Sequence, residues 1–162
     1  MPLVKVCFLI LKTAVCIKFK NSKENNLGMP VPKGIIRVYK KNAKGNLFFA
    51  GEDRIDHTPE NASISLKLGN AFDIIAIKRQ TEFTKLGSTG YNGYKYQSGF
   101  EIKITNSKDK SIYVKVVKPV RGQWRITKEN FVHTRADAGH TVWNIFVPSK
   151  GTSLLKYTVQ TK

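Results

Sequence analysis

Apolar and polar residues alternate over short stretches of this chain, and clusters of Gly, Pro, Asn and Asp separate those stretches. A period of two places every second side chain on one face, which is typical of a β-strand with one face in a core. No stretch has the period of an amphipathic helix. The pattern therefore predicts an all-β protein, an immunoglobulin-like antiparallel β-sandwich, with a smaller N-terminal β subdomain as an open alternative. Strands are predicted at residues 4–10, 13–20, 35–40, 47–50, 64–68, 72–77, 100–104, 112–117, 124–126, 131–134, 141–147 and 154–161.

Some parts of the pattern also predict which residues are buried. The nearly continuous apolar run at residues 72–77 predicts a strand that is buried on both faces. Trp124 and Trp143 are interpreted as core residues. Residues 21–33 contain Gly28 and two prolines among polar side chains, so they predict a long connection and not a central strand.

The formal net charge is +17, and it is unevenly distributed. Residues 1–50 carry ten Lys and Arg against one acid, residues 51–100 six against six, and residues 101–162 twelve against four. Such a field favours polyanionic partners: nucleic acid, an acidic polysaccharide or an anionic membrane surface. A solvated sheet face is the favoured alternative, because lysines alternate with apolar residues at 102–104 and 114–116 and no nucleic-acid-binding motif accompanies them.

The N-terminal apolar run, residues 6–11, is shorter than the apolar core of a signal peptide and far shorter than a membrane span. It predicts the first strand of a pair, in which Cys7 and Cys16 lie opposite each other across a turn at Leu11 and Lys12. In an oxidising compartment these cysteines would form a disulfide. Two free, buried cysteines are favoured, because Leu-Lys is poor chemistry for a two-residue turn and Cys is common in cores.

The most distinctive segment is GEDRIDHTP, residues 51–59, which concentrates charge in a short connection between two predicted strands. Carboxylates and imidazole are suitable ligands for Zn, Mn or Ca, so a metal site is one interpretation. Structural ion pairing is favoured, with Arg54 or Arg79 paired to nearby aspartates, because adjacent strand residues point to opposite faces. The members of this possible functional cluster are Glu52, Asp53, Arg54, Asp56 and His57.

Residues 87–99, GSTGYNGYKYQSG, hold four glycines and three tyrosines and predict a flexible loop. Tyr91, Tyr94 and Tyr96 would stack on sugars or bases, and Lys95 would hold a phosphate. A mobile hairpin tip or an interdomain linker with locally packed tyrosines is the favoured alternative.

Sequence motifs for catalysis are missing. The chain has no nucleophile elbow, phosphate-binding loop, dinucleotide fingerprint or metal-binding spacing. His133 and His140 flank Asp137, but that segment is predicted to be a turn, and proximity in sequence does not indicate a triad. We therefore assign no catalytic residue, no cofactor and no metal ligand, and expect a protein that is not an enzyme.

Several segments, taken in order, resemble the bacterial domain of unknown function 4139, which is found in mucoidy-inhibitor-like proteins. The similarity runs from about residue 13 to the C-terminus. It is carried by the segments KNSKENNLGMPVPKGIIRVYKK (20–41), GEDRIDHTP (51–59), LKLGNAFDI (66–74), KRQTEF (78–83), FEIKITNSKDKSIYVKVVKPVRGQW (100–124), DAG (137–139) and VPSKGTSLLKYTV (147–159).

The resemblance implies a β-sandwich at the C-terminal end of a longer, usually exported protein, often behind a coiled-coil segment. This chain would then be the terminal part of a larger protein or a truncated reading frame that begins at Met1. The implied parts are a truncated N-terminal β region at 1–86, a Gly/Tyr-rich loop or linker at 87–99, and an immunoglobulin-like region at 100–162.

The expected function is binding or scaffolding at the bacterial envelope or exterior, in the periplasm or outside the cell. The expected partners are another envelope protein, an anionic polymer, or the coiled-coil region of a longer parent protein, recognised through exposed strand edges and loops. Two alternatives stay open. One is a metal-dependent hydrolase that uses the cluster at 52–57, and the other is a nonspecific polyanion or nucleic-acid binder that uses Tyr94 and Tyr96.

Overall fold

A computed structural model describes residues 8–11, 13–42, 44–88, 94–120 and 122–162. Twelve β-strands and one three-residue 3-10 helix form within these ranges, and the strands of each named pair run antiparallel. The predicted all-β antiparallel class is therefore confirmed, whereas the immunoglobulin-like strand order stays a prediction. In the described ranges, no helix is long and apolar enough to cross a membrane.

The chain divides into two compact units. The described part of unit 1 comprises residues 8–11, 72–88, 94–120 and 122–162, and that of unit 2 comprises residues 13–42 and 44–71. The division therefore falls near residue 72, and not at the Gly/Tyr-rich segment as the resemblance implies.

A long hairpin explains why the chain does not divide at residues 87–99. Strands β6 (Ile74–Ser88) and β7 (Tyr94–Asn106) pair across this interval, from Ile74 with Asn106 to Ser88 with Tyr94. The ladder of backbone hydrogen bonds holds the two flanking regions together. Glycine-rich composition is a weak guide here, because strand pairing overrides the local preference for a loop.

Unit 1 contains two sheets. One has the strand order β1-β6-β7-β12-β9, and the other has the order β10-β11-β8. Besides β6 and β7, the strands of unit 1 are β1 (Phe8–Leu11), β8 (Ile112–Pro119), β9 (Trp124–Glu129), β10 (Thr134–Asp137), β11 (His140–Val147) and β12 (Thr152–Thr161).

The apolar core of unit 1 lies between these sheets, which gives the unit its β-sandwich character. Alternate residues of β11, among them Trp143 and Ile145, are completely buried, and so is Leu155 of β12. The rings of Trp143 and Tyr157 join the two sheets, with centroids 4.7 Å apart. Each large apolar side chain that is fully buried contributes about 1.5–3 kcal/mol. The core assignment of Trp143 and of Trp124 is confirmed.

The expectation that residues 72–77 form a strand buried on both faces is wrong. Phe72 is 91% exposed and lies in a turn, and Ile75 is exposed as well. Ile74 and Ala76 are buried on the face that meets the core. The sheet therefore has one buried face here, and the apolar run gave no information about which residues would face solvent.

Unit 2 is built from two antiparallel pairs, β2 with β5 and β3 with β4. The predicted hairpin between residues 4–10 and 13–20 is wrong, because β1 pairs with β6 while β2 pairs with β5. Cys7 lies outside the described residues. Cys16 is exposed and has no disulfide partner in the described ranges, so its predicted burial is wrong. The strands of unit 2 are β2 (Ala14–Lys20), β3 (Gly34–Lys41), β4 (Leu47–Ile55) and β5 (Ser63–Asn70).

A fully buried asparagine joins the two long connections of unit 2. The side-chain amide of Asn21 donates hydrogen bonds to the carbonyls of Met29 (2.8 Å) and Pro59 (2.9 Å), and its Oδ1 accepts one from the Gly28 amide (3.0 Å). The backbone of Asn21 also bonds to Asn61 and Ala62. These bonds fix irregular segments that no sheet ladder supports.

We expect Asn21→Ala to lower the free energy of unfolding of unit 2 by about 2–3 kcal/mol, because it leaves buried backbone groups without partners. Unit 2 contains no tryptophan, so native-state hydrogen exchange of the β2 and β5 amides is the suitable measurement. Asn70→Ala, at an exposed position of β5, is the matched control and should change exchange little. Equal protection in both variants would contradict the role given to Asn21.

Candidate ligand-binding surface

The prediction that GEDRIDHTP connects two strands is wrong for residues 51–55, which lie within β4, whereas residues 56–59 follow that strand. Strand β4 continues to Ile55 and pairs with β3 along its length, so that residues 51–55 belong to a hairpin. The register shifts between Val38 and Tyr39 of β3, where β4 has one extra residue, Ala50, next to Gly51. Gly51 has a φ of 149°, and a side chain there would collide with the backbone of Leu68. Glycine thus permits the close approach of β4 to β5 at this point.

Two charged residues of this segment, Glu52 and Asp53, have separate local partners. Glu52 accepts a charged hydrogen bond from Arg37 on the paired strand (3.1 Å), and both side chains are exposed. Asp53 accepts hydrogen bonds from the backbone amides of Lys67 (2.6 Å) and Arg54 (2.9 Å). These amide bonds, from Lys67 first, lower the pKa of Asp53 below its usual value. An exposed pair such as Arg37 with Glu52 adds little stability. Asp53 joins β4 to β5 through its hydrogen bond with the Lys67 amide.

The remaining members also lie apart. The hydroxyl of Thr58 donates to the backbone carbonyl of Asp56 (2.8 Å), which shapes the turn after β4. His57 borders a shallow, mostly apolar cavity of about 350 Å³ formed with Pro30, Val31, Pro32, Thr58 and Pro59. The predicted pairing of Arg79 with an aspartate is wrong, since Arg79 pairs with Glu101 (3.2 Å).

The structure does not assemble Glu52, Asp53, Asp56 and His57 into one site. In the ranges that the structure describes, no group of three or more His, Cys, Asp or Glu side chains is placed to hold a metal ion. Glu52 and Asp53 are adjacent in a strand and so point to opposite faces, as the sequence analysis expected.

The second predicted site lies on the β6–β7 hairpin. Tyr91 is outside the described residues. Tyr94, Lys95 and Tyr96 belong to β7, so the expected loop is a strand at these positions. Tyr94 and Tyr96 share one face of the hairpin, whereas Lys95 lies on the other, and the three residues do not form one cluster.

One face of this hairpin carries a set of aromatic side chains with a lysine, and we refer to it as the aromatic face. The rings of Phe83 and Tyr96 stack, with centroids 5.6 Å apart and an interplanar angle of 17°. Tyr94 follows at 6.4 Å from Tyr96. The Lys85 ammonium lies 3.3 Å from the centroid of the Tyr94 ring, in a cation–π contact. The aromatic face is defined by Phe83, Lys85, Tyr94 and Tyr96.

The aromatic face is the continuation of the core-facing side of β7. Phe100 pairs in register with the buried Tyr157 and therefore faces the core. Tyr96 and Tyr94 lie four and six residues before Phe100, which places them on the same side. Phe83 is nevertheless 64% exposed and Tyr94 is 47% exposed. The same sheet face is thus core at one end and solvent-accessible at the other.

Lys95 has a different environment on the outer face. It borders a shallow cavity of about 250 Å³ with Gln123, Trp124, Arg125, Gln160, Thr161 and Lys162. On this outer side a series of hydrogen-bonded side chains crosses the strands. Gln97 donates to Glu82 (3.0 Å), and Gln160 donates to Gln97 (3.0 Å). The two faces of the hairpin therefore differ in chemistry: one is aromatic with a lysine, and the other is polar.

A partly buried acid–histidine contact escaped the sequence analysis. Glu129 accepts hydrogen bonds from Nε1 of Trp143 (2.8 Å) and from Nδ1 of His133 (2.9 Å). Burial would raise the pKa of Glu129, but the bonds from His133 and Trp143 outweigh it and lower the pKa. His140 pairs with Asp137 at a separate, exposed turn (2.9 Å). In the sequence, Glu129 and His133 are four residues apart. This spacing indicates a contact only when it is known that strand β9 ends at Glu129.

Tyr157 carries a buried polar group, its phenolic hydroxyl. Its hydroxyl has no hydrogen-bond partner among the described groups, and burial raises its pKa. The ring packs between Trp143 and Phe100, so the hydroxyl is held in place by apolar contacts. Tyr157 therefore acts here as a core side chain.

Comparison of the chain with protein-family models, with curated proteins and with solved structures finds no match. The resemblance to the bacterial domain of unknown function 4139 therefore stays a prediction.

We expect the wild-type protein to lose the stabilisation from Glu129 as the pH falls from about 6 to about 3. The folded-state pKa of Glu129 is below its ordinary value, so its contribution is present above that value and is lost as the carboxylate protonates. Glu129→Gln cannot titrate, and its free energy of unfolding should depend less on pH. Urea titrations followed by tryptophan fluorescence measure this, with the exposed Glu60→Gln as control. Parallel pH profiles for wild type and Glu129→Gln would contradict the assignment.

Proposed function

We propose that this protein is a non-enzymatic β-sandwich module that binds an anionic polymer along the aromatic face of unit 1. The observation that carries the proposal is the contact series of Phe83, Tyr96, Tyr94 and Lys85 on an accessible strand face. Aromatic rings stack on the flat faces of sugars or bases, and a neighbouring ammonium group attracts the negative charge of the same ligand.

The exposure of these rings supports a binding role. Exposed apolar surface costs free energy in water, and large patches on a protein surface often mark an interaction site. Here the rings are ordered by contacts with one another, so a ligand that stacks on them meets side chains with little freedom left to lose. A platform of this kind tolerates different repeat units, because every sugar or base has a flat face.

The charge supports an anionic ligand. A net charge of +17 raises the local concentration of polyanions around the protein and speeds their association. Lys85 supplies a positive charge on the face itself. The outer-face residues Lys95 and Arg125 border a neighbouring cavity and add to the positive potential of the hairpin. Affinity that depends on such charges should fall as salt is added.

The proposed location of the polymer rests on the resemblance to the bacterial domain of unknown function 4139. If the chain belongs to the family that it resembles, the polymer is met at the bacterial envelope or exterior, and an acidic polysaccharide is the natural ligand. The alternative, a hydrolase centred on Glu52 to His57, receives no support from the geometry, since these residues have separate partners.

We expect the protein to bind a fluorescently labelled sulfated polysaccharide, with a dissociation constant that rises steeply between about 50 and about 300 mM salt. The double variant Tyr94→Ala, Tyr96→Ala should weaken binding by about tenfold or more, since stacking contributes about 1–3 kcal/mol per ring. Lys85→Gln should reduce the salt slope by about one. Fluorescence anisotropy measures both effects.

Tyr113→Ala is the matched control, because Tyr113 is an exposed tyrosine of β8 that lies outside the aromatic face. Two further ligands separate the sources of affinity: a neutral polysaccharide tests stacking without charge, and a single-stranded DNA of about twelve nucleotides tests base stacking. The proposal fails if no polyanion binds at low salt, or if the double variant binds as well as Tyr113→Ala.

A further inference from the structure

Two lysines face each other at the end of the core of unit 1. Lys78 of β6 pairs in register with the buried Ile102, and Lys118 of β8 pairs with the buried Thr141. Both side chains therefore lie on the inner faces of their sheets. The Lys78 ammonium is 4.0 Å from the centroid of the Phe100 ring, and the Lys118 ammonium is 5.9 Å from it.

Two other cations of this sheet share one carboxylate partner. On the outer face, Arg79 and Lys156 both pair with Glu101, at 3.2 Å and 3.5 Å. In contrast, no carboxylate of the described residues lies within 4.0 Å of Lys78 or Lys118. Two positive groups thus share a partly buried place without a counter-ion, which is an arrangement that an anion would stabilise.

The protonation of Lys78 reflects this environment. Burial first, and then the charge and the direct contact of Lys118, lower the pKa of Lys78 to about 8. Lys118 is the ionisable group that contacts Lys78. From β7, Phe100 lies beneath the Lys78 ammonium and Ile102 is its register partner, and neither of them titrates.

We propose that Lys78 and Lys118 form a seat for one oxyanion, a carboxylate, sulfate or phosphate group, with the Phe100 ring packed against the two ammonium groups and not against the anion. This inference rests on the proposed function for the source of the oxyanion, which is the bound polymer. An oxyanion between the two ammonium groups accepts hydrogen bonds from both and replaces their mutual repulsion with attraction.

The position of the seat fits a polymer on the aromatic face. Phe100, Tyr96 and Tyr94 lie on the same side of β7, and six residues of strand span about 20 Å. Along this line the pair of Lys78 with Phe100 is followed by the stack of Phe83 with Tyr96, and then by Lys85 with Tyr94. Cations therefore mark both ends of the line, with stacked rings between them.

Inorganic phosphate is the probe for the seat, used with the full chain. NMR follows the Cε and Hε shifts of Lys78 from about pH 6 to about pH 10, with phosphate or chloride at equal ionic strength. Phosphate should raise the pKa of Lys78 above about 8, because it binds the protonated form more tightly. The Lys78 shift should saturate with phosphate, and Lys118→Met should weaken this binding at least about fivefold.

Lys103→Met is the matched control, since Lys103 lies on the exposed side of β7 opposite Ile77. Methionine keeps the length of lysine and removes the repulsion, so Lys78→Met and Lys118→Met should fold. The seat is overturned if phosphate leaves the Lys78 titration unchanged, or if Lys118→Met and Lys103→Met bind phosphate equally.

Measurements of polymer binding distinguish a failure of this inference from a failure of the proposed function. Lys78→Met should weaken binding of the sulfated polysaccharide about tenfold. The double variant Tyr94→Ala, Tyr96→Ala should still show its own loss of binding. If phosphate binds at Lys78 and no polymer binds, the seat stands as a site for a free oxyanion and the proposed function fails. If the polymer binds wild type and Lys78→Met equally and phosphate has no effect on Lys78, the seat fails and the proposed function stands.

Discussion

The packing of Trp143 against Tyr157 is the contact on which the rest of unit 1 depends. It joins β11 of one sheet to β12 of the other and fixes the side of each sheet that is buried. Because side chains alternate along a strand, this choice also determines the orientation of residues that lie far from the contact. Phe100 faces inward because it is paired with Tyr157, and Tyr96 and Tyr94 follow from the period of two. The aromatic face is thus a consequence of the core.

One sheet face has two environments along its length. Near Tyr157 it is covered, and its side chains are apolar core. Along the β6–β7 hairpin the same face is accessible and carries Phe83, Tyr94 and Tyr96. Charge follows the same division. On the outer face Glu101 pairs with both Arg79 and Lys156, whereas Lys78 and Lys118 lie at the boundary on the inner side, near an aromatic ring. The binding surface that we propose begins where the core ends.

Unit 2 is organised by a different interaction. Its connections contain prolines and left-handed residues that cannot join a sheet ladder, so buried backbone groups need other partners. The Asn21 side chain supplies these partners, because its NH₂ group donates hydrogen bonds and its oxygen accepts one. The charged residues from Glu52 to His57 lie next to this framework, where Asp53 ties one strand to the next through a backbone amide. Local contacts thus account for the carboxylates of Glu52 and Asp53.

The sequence alone determined the class of fold, most of the strands, and the tryptophan core, because a period of two and turn chemistry are local properties of the chain. It also pointed to Tyr94, Lys95 and Tyr96, but it could not divide them between two faces of a strand. Only the tertiary structure decided that β1 pairs with β6, that Phe83 joins the tyrosines, and that Lys78 meets Lys118. Strand partners and cross-sheet contacts join residues far apart in the chain, and local periodicity carries no information about which distant segment completes a pair.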